Sequence, residues 1–349
     1  MNTRQAVSKM AARTSHESEW LSGNKERIMK VIVTGGAGFI GSHLSERLLD
    51  AGHKVLIIDI FDDYYPSSLK RVNLEGIRRH GSPRVVEQDI AEEGSLAGLF
   101  REFSPDAVVH LAARAGVRYS IDEPLLTERV NVAGTVNVLE ACRRLKNPPR
   151  FVFASSSSVY GACPHVPFRE DDCHLSPISP YAATKVAGEA LCGVYSRLYG
   201  ISTACLRFFT VYGPRQRPDL AICKFTAAIS RGEKVPLFGS CASARDYTFI
   251  SDVVEGIVAT LAAPIEYEII NIGNSNPVSL SAMILQVERA LGRKAILERL
   301  PAQPGDPQTT CAEISKARQL LGYCPRVPFS EGIAAFVDWY RRVGVSKQP

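Results

Sequence analysis

The chain has 349 residues, 45% of them hydrophobic and 22% charged, with a formal net charge of +5. That is the balance of a globular protein with a sizeable core, and no run reaches the ~18 consecutive apolar residues of a membrane span. The charge is too mild, and the basic residues too scattered, to point to nucleic acid. The nine cysteines show no CxxC spacing and no pairing rhythm, which suits a reduced, cytoplasmic setting. The seven histidines are not spaced as metal ligands, and no metal site is expected.

Residues 1–29 are polar, mixed in charge and without an apolar h-region, so they read as a tail outside the fold and not as a signal peptide. Lys30 to Thr34 reads as a strand. The glycines Gly35, Gly38 and Gly41 follow, then a helix from Phe39 to Ala51 that ends at Gly52. Strand, glycine turn and helix N-terminus together form an anion site, because unpaired N–H groups and the helix dipole converge there. Glycine lets a pyrophosphate approach the backbone. The spacing is GxxGxxG, which alone also fits an ordinary tight turn.

Lys54 to Asp59 is a buried strand closed by a carboxylate. Asp59 is placed to accept the hydroxyl pair of an adenine ribose and to repel a 2′-phosphate, which favours NAD over NADP. Arg84–Gln88 and Ala107–Leu111 read as further strands, 127–145 as a helix, and 151–154 as another strand. Strands alternating with helices predict an α/β, Rossmann-type doubly wound parallel sheet.

The run SSSSVYG (155–161) follows the strand at 151–154, and SPYAATK (179–185) opens a helix over 181–199. Tyr181 and Lys185 stand four apart, on one helix face. A nearby ammonium stabilises phenolate, so Tyr181 can act as a base near neutral pH. Ser156 and Ser158 point the same way if the strand continues, and Ser156 is the preferred hydroxyl to share the substrate's proton.

After residue 206 prolines and glycines become denser, as in GPRQRP (213–218) and QPGDP (303–307). This predicts an NAD-binding domain over 30–206 plus 246–268, and a smaller C-terminal substrate-binding lobe over 207–245 and 269–345.

TGGAGFIGSHL, HLAA (110–113), SSSSVYG, YAATK, LRFFTVYGPRQRPD and RDYTFISD together resemble the extended short-chain dehydrogenases/reductases. Within them the chain is similar to the nucleotide-sugar 4-epimerases, those acting on UDP-glucuronate above all. The resemblance runs from about Met29 to Tyr340. It implies that Gly35, Gly38, Phe39 and Ile40 hold the pyrophosphate of NAD. It implies that Asp59 holds the ribose, that Asp89 and Ile90 flank adenine, and that Leu111, Ala112 and Ala113 lie along the cofactor with Asn131 nearby. Tyr181 and Lys185 would also contact the nicotinamide ribose. For a UDP-sugar, Arg245 would meet the diphosphate and Asp306 the uridine ribose. Arg217 and Thr210 are candidates for gripping the sugar's carboxylate, although Arg217 has Asp219 as a nearby alternative partner.

There are departures. Ile60 stands where relatives often carry Asn, and 239–244 lacks the usual second glycine. The positions before Val159 are serines, without the acids of dehydratases and decarboxylases. The alternatives are a UDP-glucose 4-epimerase, which usually has Asn in place of Thr210, and a non-catalytic NAD-binding subunit. The family habit implies a homodimer through the helices at 127–145 and 181–199.

Overall fold

The computed structural model describes residues 28–172, 175–238, 243–300 and 308–343. Twelve strands are named in chain order: β1 Lys30–Thr34, β2 Lys54–Asp59, β3 Arg84–Glu87, β4 Ala107–His110, β5 Arg150–Ser156, β6 Thr203–Phe208, β7 Thr210–Tyr212, β8 Lys234–Phe238, β9 Ala244–Phe249, β10 Tyr267–Ile272, β11 Pro277–Ser279 and β12 Ile296–Leu300. Seven of them form one sheet in the order β3-β2-β1-β4-β5-β6-β10. Every neighbouring pair is parallel. The order reverses between β1 and β4, and in such sheets the crevice beyond the strands' carboxyl ends is where ligands bind.

The strands are apolar on both sides because both faces are covered. Val31, Val33, Val55 and Ile57 pack with Leu44 and Leu48 of the Phe39–Asp50 helix and with Val253 and Ile257 of the Ile250–Ala262 helix. The alternate residues Ile32, Leu56, Ile58 and Val108 face the other way, toward Val138 and Leu139 of the Gly134–Arg143 helix. This is the period of two of an extended chain, written into the two cores.

A smaller lobe has its own core around Tyr212, Ile222, Val235, Tyr247, Met283 and Phe336. It holds a three-stranded sheet, β11-β9-β7, and the parallel pair β12-β8. The structure draws the boundaries differently from the sequence reading in three places. β6 runs on to Phe208, residues 246–249 belong to β9 of the lobe, and the chain rejoins the main sheet through the 250–262 helix and β10, which ends at Ile272. The helix expected over 127–145 is also interrupted. A short helix, Pro124–Glu128, passes into a π-helical turn, Arg129–Ala133, before Gly134–Arg143 begins.

Candidate active site

The first βα turn is shaped by its glycines. Gly35 has φ +68°, and a Cβ there would lie 2.8 Å from the Ala112 nitrogen. A Cβ on Gly41 would lie 2.2 Å from the Gly35 carbonyl oxygen. Both positions therefore exclude a side chain, one by conformation and one by contact. Gly38 is the N-cap of the 39–50 helix, which has no side-chain cap and no acid in its first turn. Its leading N–H groups are left for an external anion, as a pyrophosphate site requires.

Asp59 closes β2 and is buried. Its carboxylate accepts from the Ala37 and Phe61 amides, each at 3.1 Å, and from Lys70 Nζ at 3.0 Å. Lys70 also reaches Asp62 at 3.2 Å, and Asp62 pairs with Arg114. Asp59 is thus half of a buried ion pair and not a lone negative charge. Tyr64 follows on the same loop. Its hydroxyl donates to the Ala115 carbonyl, and the Arg114 and Arg217 guanidiniums lie 5.3 and 5.1 Å from its ring centre. Lys70, Asp62, Tyr64 and Arg114 all line the cleft and were absent from the sequence reading. The available signal was DDYY directly beyond Asp59, in a loop at the carboxyl end of a parallel strand.

The next turn, Leu111–Ala113, is held by a directed chain of hydrogen bonds. The Ala112 N–H donates to Thr34 Oγ1 at 3.2 Å, and that hydroxyl contacts His110 Nδ1 at 2.7 Å. His110 Nε2 contacts Thr135 Oγ1 at 3.0 Å, whose own proton goes to the Asn131 carbonyl at 2.6 Å. Thr135 therefore accepts from Nε2–H, and Nδ1 accepts from Thr34, so the ring is neutral. Complete burial agrees, holding the His110 pKa down to about 3. Asp89 and Ile90 also line the cleft, Asp89 pairing with Arg129 at 2.8 Å. Asn131 does not line it. Its amide joins the Arg114 backbone (2.7 and 3.1 Å) to Thr184 Oγ1 (3.0 Å), tying this turn to the next helix.

That helix, Pro180–Tyr199, starts on Ser179, whose hydroxyl accepts from the Ala182 amide, with Pro180 at the first helical position. Tyr181 lies in the first turn and Lys185 one turn later. Ser156, the last residue of β5, lines the same cleft as Tyr181, and its hydroxyl favours the phenolate. The strand does not continue to Ser158, so the condition for the two serines to point the same way is not met. Residues Ser157–Tyr160 form a 3₁₀ turn, and Ser158 still reaches Ser156, with the two hydroxyls 3.1 Å apart and its amide 3.2 Å from Ser156 Oγ. Ser155 faces the other way, donating to Glu189 in the buried Glu189–Arg207 pair.

Burial, the largest influence, raises the Tyr181 pKa, while the Ser156 hydrogen bond and the Arg217 charge favour phenolate. Lys185 Nζ lies 5.8 Å from the Tyr181 ring centre and donates to the Ala154 carbonyl at 2.7 Å. Burial lowers its own pKa to about 8.

Among the predicted substrate residues, Thr210 and Arg217 line the cleft with Tyr181, Gly35, Gly38, Phe39, Ile40 and Gly41. The cleft holds about 570 Å³. Arg217 is gripped in two places by Asp219, at 2.9 Å each. Arg245 is not among the lining residues; it donates to the Ala244 and Gln308 carbonyls at 2.9 and 3.3 Å. Asp306 lies outside the described residues.

Comparison with known proteins gives a consistent picture. The sequence profile of the GDP-mannose 4,6 dehydratase family matches residues 32–336. UDP-glucuronate 4-epimerase 4 of Arabidopsis thaliana is 42% identical over 89% of this chain and 75% of its own length. The structure of UDP-glucuronic acid 4-epimerase from Bacillus cereus, in complex with UDP-glucuronic acid and NAD, superposes with a TM-score of 0.85. It is 38% identical, over 90% of this chain and all of that one. The Thermus thermophilus UDP-glucose 4-epimerase complex with NAD gives a TM-score of 0.80 at 33% identity, over 91% of this chain and 100% of that one.

Proposed function

We propose, for a chain that belongs to the GDP-mannose 4,6-dehydratase family of extended short-chain dehydrogenases/reductases, the NAD-dependent epimerisation of UDP-glucuronate at C4 to UDP-galacturonate. The observation that carries this reading is the sharing of one cleft by Tyr181, Ser156, the glycine turn and Arg217. An acid–base pair, a dinucleotide seat and a fixed cation then meet within reach of a single sugar.

The uncapped helix N-terminus of the glycine turn would hold the pyrophosphate, and Asp59 at the end of β2 would hold a ribose. NAD held there would supply a hydride acceptor and donor for C4 and a positive charge that favours a phenolate nearby. Tyr181 Oη removes the C4 hydroxyl proton, helped by the Ser156 hydroxyl, which favours its phenolate. The 4-keto sugar turns in the cleft, and Tyr181 returns the proton after the other face has been reduced. Lys185, fixed to the Ala154 carbonyl, holds a donor beside the base.

Oxidation of this substrate at C4 makes a β-keto acid. Such acids lose CO₂ when the C5–C6 bond lies parallel to the carbonyl π system, so the carboxylate must be held with that bond near the carbonyl plane. Arg217 is the residue we assign to it, with Thr210 as a neutral donor. Incubation with UDP-glucuronate and UDP-glucose, followed by NMR, tests the reading. UDP-galacturonate is the expected product. Arg217→Met is expected to weaken UDP-glucuronate by roughly 2–5 kcal/mol and to release some decarboxylated UDP-pentose. Turnover of UDP-glucose alone, or a variant of unchanged affinity and product, would overturn the assignment.

Pairing of two chains and a cytoplasmic setting belong to the same reading. Leu125 is 84% exposed and Leu198 64%, on the Pro124–Glu128 and Pro180–Tyr199 helices, apolar side chains that a partner helix would cover. Sedimentation of the purified protein reads the state directly. The cysteines of the described residues are all free thiols, as a reducing compartment allows.

A further inference from the structure

We propose that Tyr64 and Asp219 are positioning residues that hold Arg217 in the one orientation able to receive a substrate carboxylate. The inference rests on the reading of Arg217 given above. It adds the reason why an arginine, with its long flexible side chain, can fix the plane of a carboxylate at all.

A guanidinium is oriented when one edge and one face are both held. Asp219 takes the Nε/Nη2 edge in a fork of two 2.9 Å hydrogen bonds. The guanidinium carbon of Arg217 lies over the Tyr64 ring, 5.1 Å from the ring centre, so the aromatic surface restrains the guanidinium from a second side. The remaining edge, at Nη1, has no hydrogen-bond partner among the described residues. The Arg217 side chain is only 14% exposed, so the restraint acts where water competes little. Arg217 also lines the cleft that holds Tyr181 and Thr210.

Tyr64 is itself held. Its hydroxyl donates to the Ala115 carbonyl, the Tyr119 ring meets it edge-on at 4.5 Å, and Arg114 lies near the ring at 5.3 Å while paired with Asp62. Bidentate pairing and stacking are the two contacts an arginine makes and a lysine cannot. Pre-ordering spares the complex the rotamer freedom a loose side chain would lose on binding. The rival account is simple competition, in which Asp219 occupies the place of the substrate and must be displaced. The two accounts predict opposite signs.

The test is calorimetric titration of the purified enzyme with UDP-glucuronate and with UDP-glucose, in Asp219→Ala, Tyr64→Leu, Tyr64→Phe and Arg217→Met. Asp219→Ala and Tyr64→Leu are expected to bind UDP-glucuronate about tenfold more weakly, the scale of one charge-assisted contact. UDP-glucose should stay within about twofold, since it offers no carboxylate. NMR should show decarboxylated product above the wild-type level. Tyr64→Phe keeps the ring and should keep the preference. Tighter binding of UDP-glucuronate by Asp219→Ala would establish competition and overturn the proposal, as would equal losses for both sugars. Should Tyr64→Leu fail to fold, Asp219→Ala decides alone, because that side chain is 45% exposed and its removal leaves no buried cavity. An Arg217→Met variant with unchanged preference removes the reading of Arg217 itself. An altered Arg217→Met beside unaltered Asp219→Ala and Tyr64→Leu removes only the positioning role.

Discussion

The phenol of Tyr181 occupies the first turn of a helix that Ser179 caps, and it faces Ser156 at the end of β5. Burial alone would keep its proton on. Its use as a base therefore depends on the neighbours that favour phenolate, and removing the hydroxyl should separate chemistry from binding. Tyr181→Phe is expected to lose at least about 10²–10⁴-fold in epimerisation, with NAD binding by fluorescence titration nearly unchanged. A rate near wild type would mean that another group takes the proton. Asp59 poses a different problem. Alone it would repel a 2′-phosphate, but Lys70 stands 3.0 Å away. Asp59→Ala leaves that ammonium facing the ribose. NAD should then bind more weakly and NADP relatively better, read by parallel titration with the two cofactors; an unchanged preference would remove Asp59 from the site.

Between residue and fold stands the glycine turn, where β1 hands over to the 39–50 helix. A methyl group on Gly41 meets the Gly35 carbonyl at 2.2 Å, main chain against side chain, with no flexible group to yield. Gly41→Ala is expected to cost about 1–3 kcal/mol or more of stability and to weaken NAD as the turn opens. A melting curve and a cofactor titration check both; an unshifted melt would show that the turn relaxes freely. Features of this kind were legible in the sequence because they are local. GxxGxxG after a β-branched run, a carboxylate closing the next strand, and Tyr181 four residues before Lys185 each depend on the geometry of one element. What was not legible depends on several loops meeting. Asp62 and Tyr64 on one loop, Lys70 on the Ser67–Arg78 helix that follows it, and Arg114 on a second loop are brought together only by the parallel sheet. Whether the strand continued to Ser158 was open in the sequence, because nothing in four consecutive serines marks where extension gives way to a 3₁₀ turn. The π turn at Arg129–Ala133 was equally hidden, since it accompanies the long-range bonds of Asn131 to the Arg114 backbone.

At the scale of the whole molecule, two neutral histidines set an acid limit. Burial, together with the nearby Arg215 charge, lowers the His43 pKa to about 4, while its Nε2 lies 3.0 Å from the Pro214 carbonyl. Burial with the Lys185 charge lowers His110 to about 3. Unfolded histidine titrates near 6.5. Between that value and the folded ones, unfolding takes up protons, so stability rises with pH across the window. It is lost as pH falls from about 6.5 to 4, by an amount on the order of a few kcal/mol. Thermal melts at steps of pH should show this slope, and His43→Gln should flatten part of it. A melting temperature independent of pH in that window would contradict the neutral assignments.

Among the described residues the lobe is joined to the main domain at four places, where the chain leaves β6 for β7, passes from β9 into the 250–262 helix, runs from β10 to β11, and leaves the Ser315–Leu321 helix of the main core for the Phe329–Val343 helix of the lobe. At the first and third, the Phe209 amide donates to the Ile272 carbonyl at 3.1 Å. Behind them the buried Asp246 carboxylate gathers the amides of Asn274, Ser275 and Ala312, at 2.7, 2.9 and 2.9 Å. A body attached at one point can swing, and a body attached at two can hinge. Here Phe209 ties the first crossing to the third, and Asp246 ties β9 to the third, so these crossings are coupled to one another. A sugar that must present first one face and then the other would do so between walls braced against each other at several points.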